Sequence, residues 1–196
     1  KEAEKKIKEA IEKSPDLKEF SKNLLIDMTP EGLRIQIVDS EGRPMFASGS
    51  AEMFGYTQKL LEQVTKVVQT LPNEISIRGH TDSVPYAAGA KYTNWELSSD
   101  RANSSRRVML AAGIPATRVN NVVGKADTDH LKPDKPSDAS NRRISIILLK
   151  EELTDPEFDS KAAIKAGDAG ESAEPDDAPE IPIGTFRKTP GKVEFP

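Results

Sequence analysis

The stretch "IRGHTDSVPY", Ile77 to Tyr86, sets a glycine, a histidine, a hydroxyl and a carboxylate in a row at the end of an alternating apolar run. His80, Thr81 and Asp82 are residue types that can ligate a metal, move protons or hold a charged ligand. The metal reading finds no third ligand. His80 and His130 are the only histidines, fifty residues apart, and neither an HExxH pair nor a calcium loop is present. The catalytic reading lacks a nucleophile, because the chain has no cysteine and no GxSxG elbow. Glu96 and Asp100 are partners for Asp82 in glycosidase chemistry only in the sense that any acid is. Gly124-Lys125 lacks the upstream glycine of a phosphate loop.

Ligand holding has firmer support, and it comes from the next helix. Leu97, Arg101, Ser105, Val108, Met109 and Ala112 fall on one helical face. Arg101 therefore interrupts a stripe that should be apolar. A guanidinium at such a place needs an anionic partner, since a buried unpaired charge is strongly destabilising. Two readings stay open on residue types alone. One is a structural ion pair, with Asp82 itself a candidate partner. The other is a pocket with one fixed anion and one fixed cation, which would grip an ammonium beside a carboxylate through charge-assisted bonds.

The elements that must position these residues read as follows. "KEAEKKIKEAIEK" gives a thin helical stripe of Ala3, Ile7, Ala10 and Ile11. Ser14-Pro15 restarts a helix with Leu17, Phe20, Leu24 and Leu25 on its apolar face. Leu33, Ile35 and Ile37 alternate as a strand, followed by a turn at Glu41-Gly42 and a short strand near Met45–Phe46. A helix is expected from about Ala51 to Thr70, ended by Pro72, and "EISIRG" is the next strand. Thr93 and Glu96 form a capping box for the helix carrying Arg101, with Gly113 and Pro115 at its far end. "RVNNVVG" and "RRISIILLK" complete the strands. The order β-α-β-α-β-β implies an α+β fold: one sheet with the helices on one face.

The 196 residues suffice for one core with chain to spare. The net charge is −4, and residues 151–196 carry 12 acidic against 5 basic side chains, so the rest nets +3. Neither part has the basic footprint of a nucleic-acid domain, and no nucleic-acid partner is expected. No apolar run approaches the ~20 residues that span a bilayer. Without a start methionine or signal peptide, the chain reads as a mature or truncated fragment, so an upstream membrane anchor would not be seen. The absence of cysteine suits an oxidising compartment. From Asp155 onward, Pro, Ala, Asp, Glu and Gly predominate, a composition expected to stay disordered. Three segments result: an N-terminal helical linker over 1–28, a central domain over 29–152, and an acidic tail over 153–196.

Taken together, "GHTD" (Gly79 to Asp82), "NWELSSDRA" (Asn94 to Ala102) and "NRRI" (Asn141 to Ile144) resemble the signature of OmpA-like peptidoglycan-binding domains. The resemblance covers roughly Leu33 to Lys150. "LLIDMTPEGLRIQIVDSEGRPMFASGSAEM" and "YTNWELSSDRANSSRR" are similar to the MotB branch, the wall anchors of flagellar motor stators. The resemblance implies a mixed sheet and a non-enzymatic, cofactor-free binding module. It implies that Asp82 takes the ammonium and Arg101 the carboxylate of diaminopimelate in the peptidoglycan stem peptide. Thr81, Asn94, Leu97, Asn141 and Arg142 match positions lining the same pocket. Arg143 matches the second arginine of the NRR pair, and His80 would be structural. Implied too are a periplasmic location, a homodimer, and a channel-forming stator partner reached through an upstream transmembrane helix. Flagellar basal-body ring proteins are a further implied partner. The alternatives are a generic outer-membrane or lipoprotein tether to the wall, and a cell-wall hydrolase.

Overall fold

A computed structural model describes Glu9 and residues 20–40 and 42–154. Five strands form one sheet: β1 (Leu24–Met28), β2 (Gly32–Val38), β3 (Ile75–His80), β4 (Val119–Gly124) and β5 (Arg143–Leu149). Two helices, α1 (Gly55–Gln69) and α2 (Asn94–Ala111), connect them. The strand order is β1-β2-β5-β3-β4, with β3 and β4 parallel and every other pair antiparallel. The mixed sheet with its helices on one face is the expected architecture. Among the described residues, no helix is long and apolar enough to cross a membrane.

Strand alternation decides which face is which. Leu33, Ile35 and Ile37 of β2, Ile75 and Ile77 of β3, and Ile144, Ile146 and Leu148 of β5 share one core. Leu60, Leu61, Val64 and Val68 of α1 and Ala102 and Met109 of α2 close that core from above. The opposite face carries Gln36, Ser76, His80, Arg143 and Ser145, all buried, and the ion pairs Arg34–Asp27, Arg78–Glu31 and Arg143–Asp129.

Three elements differ from the expectation. Leu24 and Leu25 do not continue a helix; they open β1, where Leu24 is buried and Leu25 is exposed. Thr29-Pro30-Glu31-Gly32 explains this, since Pro30 cannot sit in a continuing helix. Thr29 and Gly32 exchange two backbone hydrogen bonds, of 2.8 and 3.2 Å, and turn the chain into β2. The sheet thus begins within the segment read as helical linker. α1 starts at Gly55 rather than near Ala51, because Met53 is engaged in a lone β-bridge with Phe46. Met45–Phe46 is accordingly a bridge and not a strand of the sheet. The expected helices before Phe20, the turn residue Glu41 and the tail from Asp155 lie outside the described residues.

Candidate functional site

The carboxyl end of β3, the start of α2 and the segment Met45–Ser50 meet around a cavity of about 490 Å³. Its walls include Asp39, Phe46, Thr81, Asp82, Asn94, Leu97, Arg101 and Arg142, with Phe54 and the Val84–Tyr86 loop also lining it. Of the seven residues singled out in the sequence, six line this cavity: Thr81, Asp82, Asn94, Leu97, Arg101 and Arg142.

α2 reaches the site because two glycines let it approach. Gly79 and Gly124 are paired across β3 and β4. A Cβ on Gly79 would lie 2.0 Å from the Ser98 carbonyl oxygen, and one on Gly124 would lie 2.1 Å from Ser99 Oγ. The glycine of "GHTD" is therefore a seat for the helix that carries Leu97 and Arg101. The capping box starts that helix: Thr93 accepts from the Trp95 backbone, and Glu96 accepts from the Thr93 backbone at 2.8 Å. Asn94 Nδ2 donates to the carbonyls of Asp82 and Val84, both at 3.3 Å, stapling the end of β3 to the start of α2.

The charges are arranged differently from a direct Asp82–Arg101 pair. Asp82 Oδ2 accepts from Arg142 Nη1 at 2.6 Å, and Oδ1 accepts from the Val84 backbone at 3.3 Å. Arg142 also donates through Nε to Asp39 Oδ2 at 2.8 Å. Asp39 in turn accepts from the Met45 backbone at 2.7 Å. Arg101 instead donates through Nε to the Ser50 carbonyl at 2.9 Å and through Nη2 to the Ala47 carbonyl at 3.2 Å. Its guanidinium carbon sits 5.0 Å from the Phe46 ring centroid, a cation–π distance. Asp82, the candidate anionic partner for Arg101, is thus paired with another arginine, Arg142, while Arg101 bonds the carbonyls of the Ala47–Ser50 wall.

Burial sets the electrostatics. It pushes the Asp39 carboxyl above its ordinary range, which the hydrogen bonds from Arg142 and Met45 only partly offset. Burial also lowers Arg101, with Asp39 opposing the shift. For Arg142, burial acts downward but is outweighed by its bonds to Asp39 and Asp82, leaving it above the usual value. Thr81 lines this wall, and its Oγ1 is buried with no hydrogen-bond partner among the described residues.

Asn141 is not on the cavity wall. It is fully buried, accepts from the Lys132 backbone at 2.8 Å and donates to the carbonyls of Lys135 and Pro136. It shapes the 132–136 loop, whose Pro136 carbonyl accepts from the Ser83 backbone at 3.0 Å. Arg143 points to the opposite face, as alternation from Arg142 requires, and bonds Gln36 and Asp129. His80 is also on that face, its Nε2 3.3 Å from Ser145 Oγ. The residue that sequence reasoning missed is Asp39. In "VDSEGR" it reads as turn punctuation, and its partner Arg142 is 103 positions away.

Comparison with known proteins places this fold in a family. A model of the OmpA family matches residues 45–143, just over half of the chain, and the chain belongs to that family. It is 41% identical to motility protein B of Escherichia coli K12 over 181 residues, covering 92% of this chain and 59% of that protein. It is 28% identical to motility protein B of Bacillus subtilis over 146 residues, covering 73% of this chain and 55% of that protein. The chain therefore spans a little over half the length of these curated relatives. Among solved structures, the periplasmic domain of Helicobacter pylori MotB matches with a TM-score of 0.60 at 18% identity, covering 74% of this chain and 99% of that one. A putative MotB-like protein from Desulfovibrio vulgaris matches with a TM-score of 0.62 at 23% identity, covering 76% of this chain and 95% of that one. At these identities the structures share the fold.

Proposed function

We propose that this chain binds peptidoglycan non-covalently in the periplasm and anchors a flagellar motor stator to the cell wall. Asp82 takes the ammonium and Arg101 the adjacent carboxylate of diaminopimelate at the end of a stem peptide. Thr81, Asn94, Leu97 and Arg142 shape the rest of the pocket. The observation that carries this reading is the single cavity into which β3, α2 and the Met45–Ser50 wall bring separated, buried opposite charges. A ligand end with an ammonium and a carboxylate about one carbon apart matches such a wall through charge-assisted bonds. The stator assignment rests on the likeness to motility protein B. With it come a homodimer, and a channel-forming subunit and basal-body ring proteins as partners.

Sedimentation with purified sacculi tests the binding. Wild-type chain should pellet, and free meso-diaminopimelate should release it. Asp82→Ala should bind ten- to a hundredfold more weakly, since one charge-assisted bond is worth ~1.5–3 kcal/mol. Pelleting of Asp82→Ala at the wild-type level would refute the site.

A further inference from the structure

Among the described residues, the charged side chains on the cavity wall are Asp39, Asp82, Arg101 and Arg142, two anions and two cations. Asp39 and Asp82 are 5% and 7% exposed, and Arg101 is 5% exposed, so these charges are poorly screened by solvent. Arg142 lies between the carboxylates, with Nε on Asp39 and Nη1 on Asp82. Asp39 is held rigidly for this task. It follows directly on β2, its backbone donates to the Arg142 carbonyl at 3.1 Å, and its other oxygen holds Met45. Asp39 thus anchors Arg142 by backbone and side chain at once.

We propose that Asp39 is a specificity-determining residue of this pocket, selecting a ligand end that carries both an ammonium and a carboxylate and is neutral overall. The inference rests on the pocket reading above and adds a residue and a rule to it. With Asp39 in place the wall is balanced, so a neutral zwitterion enters without leaving an uncompensated buried charge. A pure anion or a pure cation upsets that balance and is excluded. Asp39 also shares Arg142 with Asp82, so that Arg142 does not pair with Asp82 alone and cancel the charge needed for the ligand's ammonium. Removing the Asp39 charge leaves two guanidiniums against one carboxylate, a wall that favours anions. Removing the Arg142 charge leaves two carboxylates against one guanidinium, a wall that favours cations.

Calorimetric titration of the whole chain tests this with three seven- or five-carbon probes. These are meso-diaminopimelate, pimelate (both carboxylates, no ammonium) and 1,5-diaminopentane (both ammoniums, no carboxylate). Wild type should prefer meso-diaminopimelate to either by tenfold or more. Asp39→Asn should shrink the preference over pimelate at least tenfold, and Arg142→Gln should shrink the preference over 1,5-diaminopentane likewise. The double variant, balanced again, should regain most of the wild-type selectivity, a recovery that mere structural damage cannot produce. If Asp39→Asn weakens all probes equally and the double variant regains nothing, Asp39 is only a scaffold residue and the proposal fails while the pocket reading stands. If wild type binds no meso-diaminopimelate, both fail. Should Asp39→Asn not fold, the Arg142→Gln arm and the double variant decide the matter alone.

Discussion

Arg101 holds a wall of the cavity and, in the function proposed above, also takes the ligand's carboxylate, so truncating it should disturb both. Its bonds to the Ser50 and Ala47 carbonyls hold a wall of the cavity, so Arg101→Ala should lower stability by ~1.5–3 kcal/mol as well as weaken binding. An unchanged urea midpoint for this variant would show that the Ala47–Ser50 wall stands without it. Asp82 is for this reason the cleaner probe of binding. His80 gives a pH prediction. Burial, with Arg143 nearby, pushes it down to about 3, and Asp129 at 3.9 Å is too exposed to reverse this. The unfolded chain protonates this histidine below about 6.5 while the fold keeps it neutral. The unfolded state therefore binds the extra proton between about 6.5 and 3. Stability is full above that window and falls as pH drops through it, by up to ~1.4 kcal/mol per pH unit. Comparing urea stability at pH 7.5 and 5.0, His80→Gln should show a shallower loss than wild type; equal losses would contradict the assignment. Asp82 and Arg101 were legible in sequence because each breaks a local pattern, a carboxylate at a strand end and a charge in an apolar stripe. Asp39 breaks none, since its burial depends on Arg142 and Met45 arriving from elsewhere.

At the scale of elements, the site depends on how closely α2 lies on β3. Gly79→Ala would thrust a methyl into the Ser98 carbonyl, and such backbone overpacking costs ~1–3 kcal/mol. The variant should therefore lose stability and, by lifting Leu97 and Arg101, lose sacculus binding too. Binding retained at full strength would show that the helix does not need this seat. Thr93→Ala removes the cap and should lower the denaturation midpoint by an amount equal to ~1 kcal/mol. No change would mean that Glu96 alone suffices to start the helix. The capping box and the Gly113 end of α2 were readable because both signals are local, and Gly113 has φ +104°, where glycine is favoured. β1 does not stand out in the sequence because Leu17, Phe20, Leu24 and Leu25 also fit a helical period. The turn Thr29 to Gly32 was the overlooked signal, and a five-residue run between it and Ser21–Asn23 leaves room for a strand but little for a helix.

For the whole molecule, most elements and the one-sided mixed sheet are legible in the sequence, and the strand order is not. β5 is last in the chain yet lies between β2 and β3, a pairing with register partners such as Ile35 and Ile146 that no local pattern encodes. That central position is what delivers Arg142 to Asp82 and Asp39, so the site is a product of the topology. The three motifs of the family signature come together because they sit at strand and helix ends that this topology gathers. The central claim is that the gathered charges read an ammonium and a carboxylate together. Its most direct test is calorimetric titration with two synthetic stem peptides that differ only at the diamino acid, diaminopimelate in one and lysine in the other. The lysine peptide offers the ammonium without its carboxylate. The diaminopimelate peptide should bind ten- to a hundredfold more tightly, the worth of a lost charge-assisted bond of ~1.5–3 kcal/mol. Equal affinity for the two peptides, or tighter binding of the lysine form, would contradict the account.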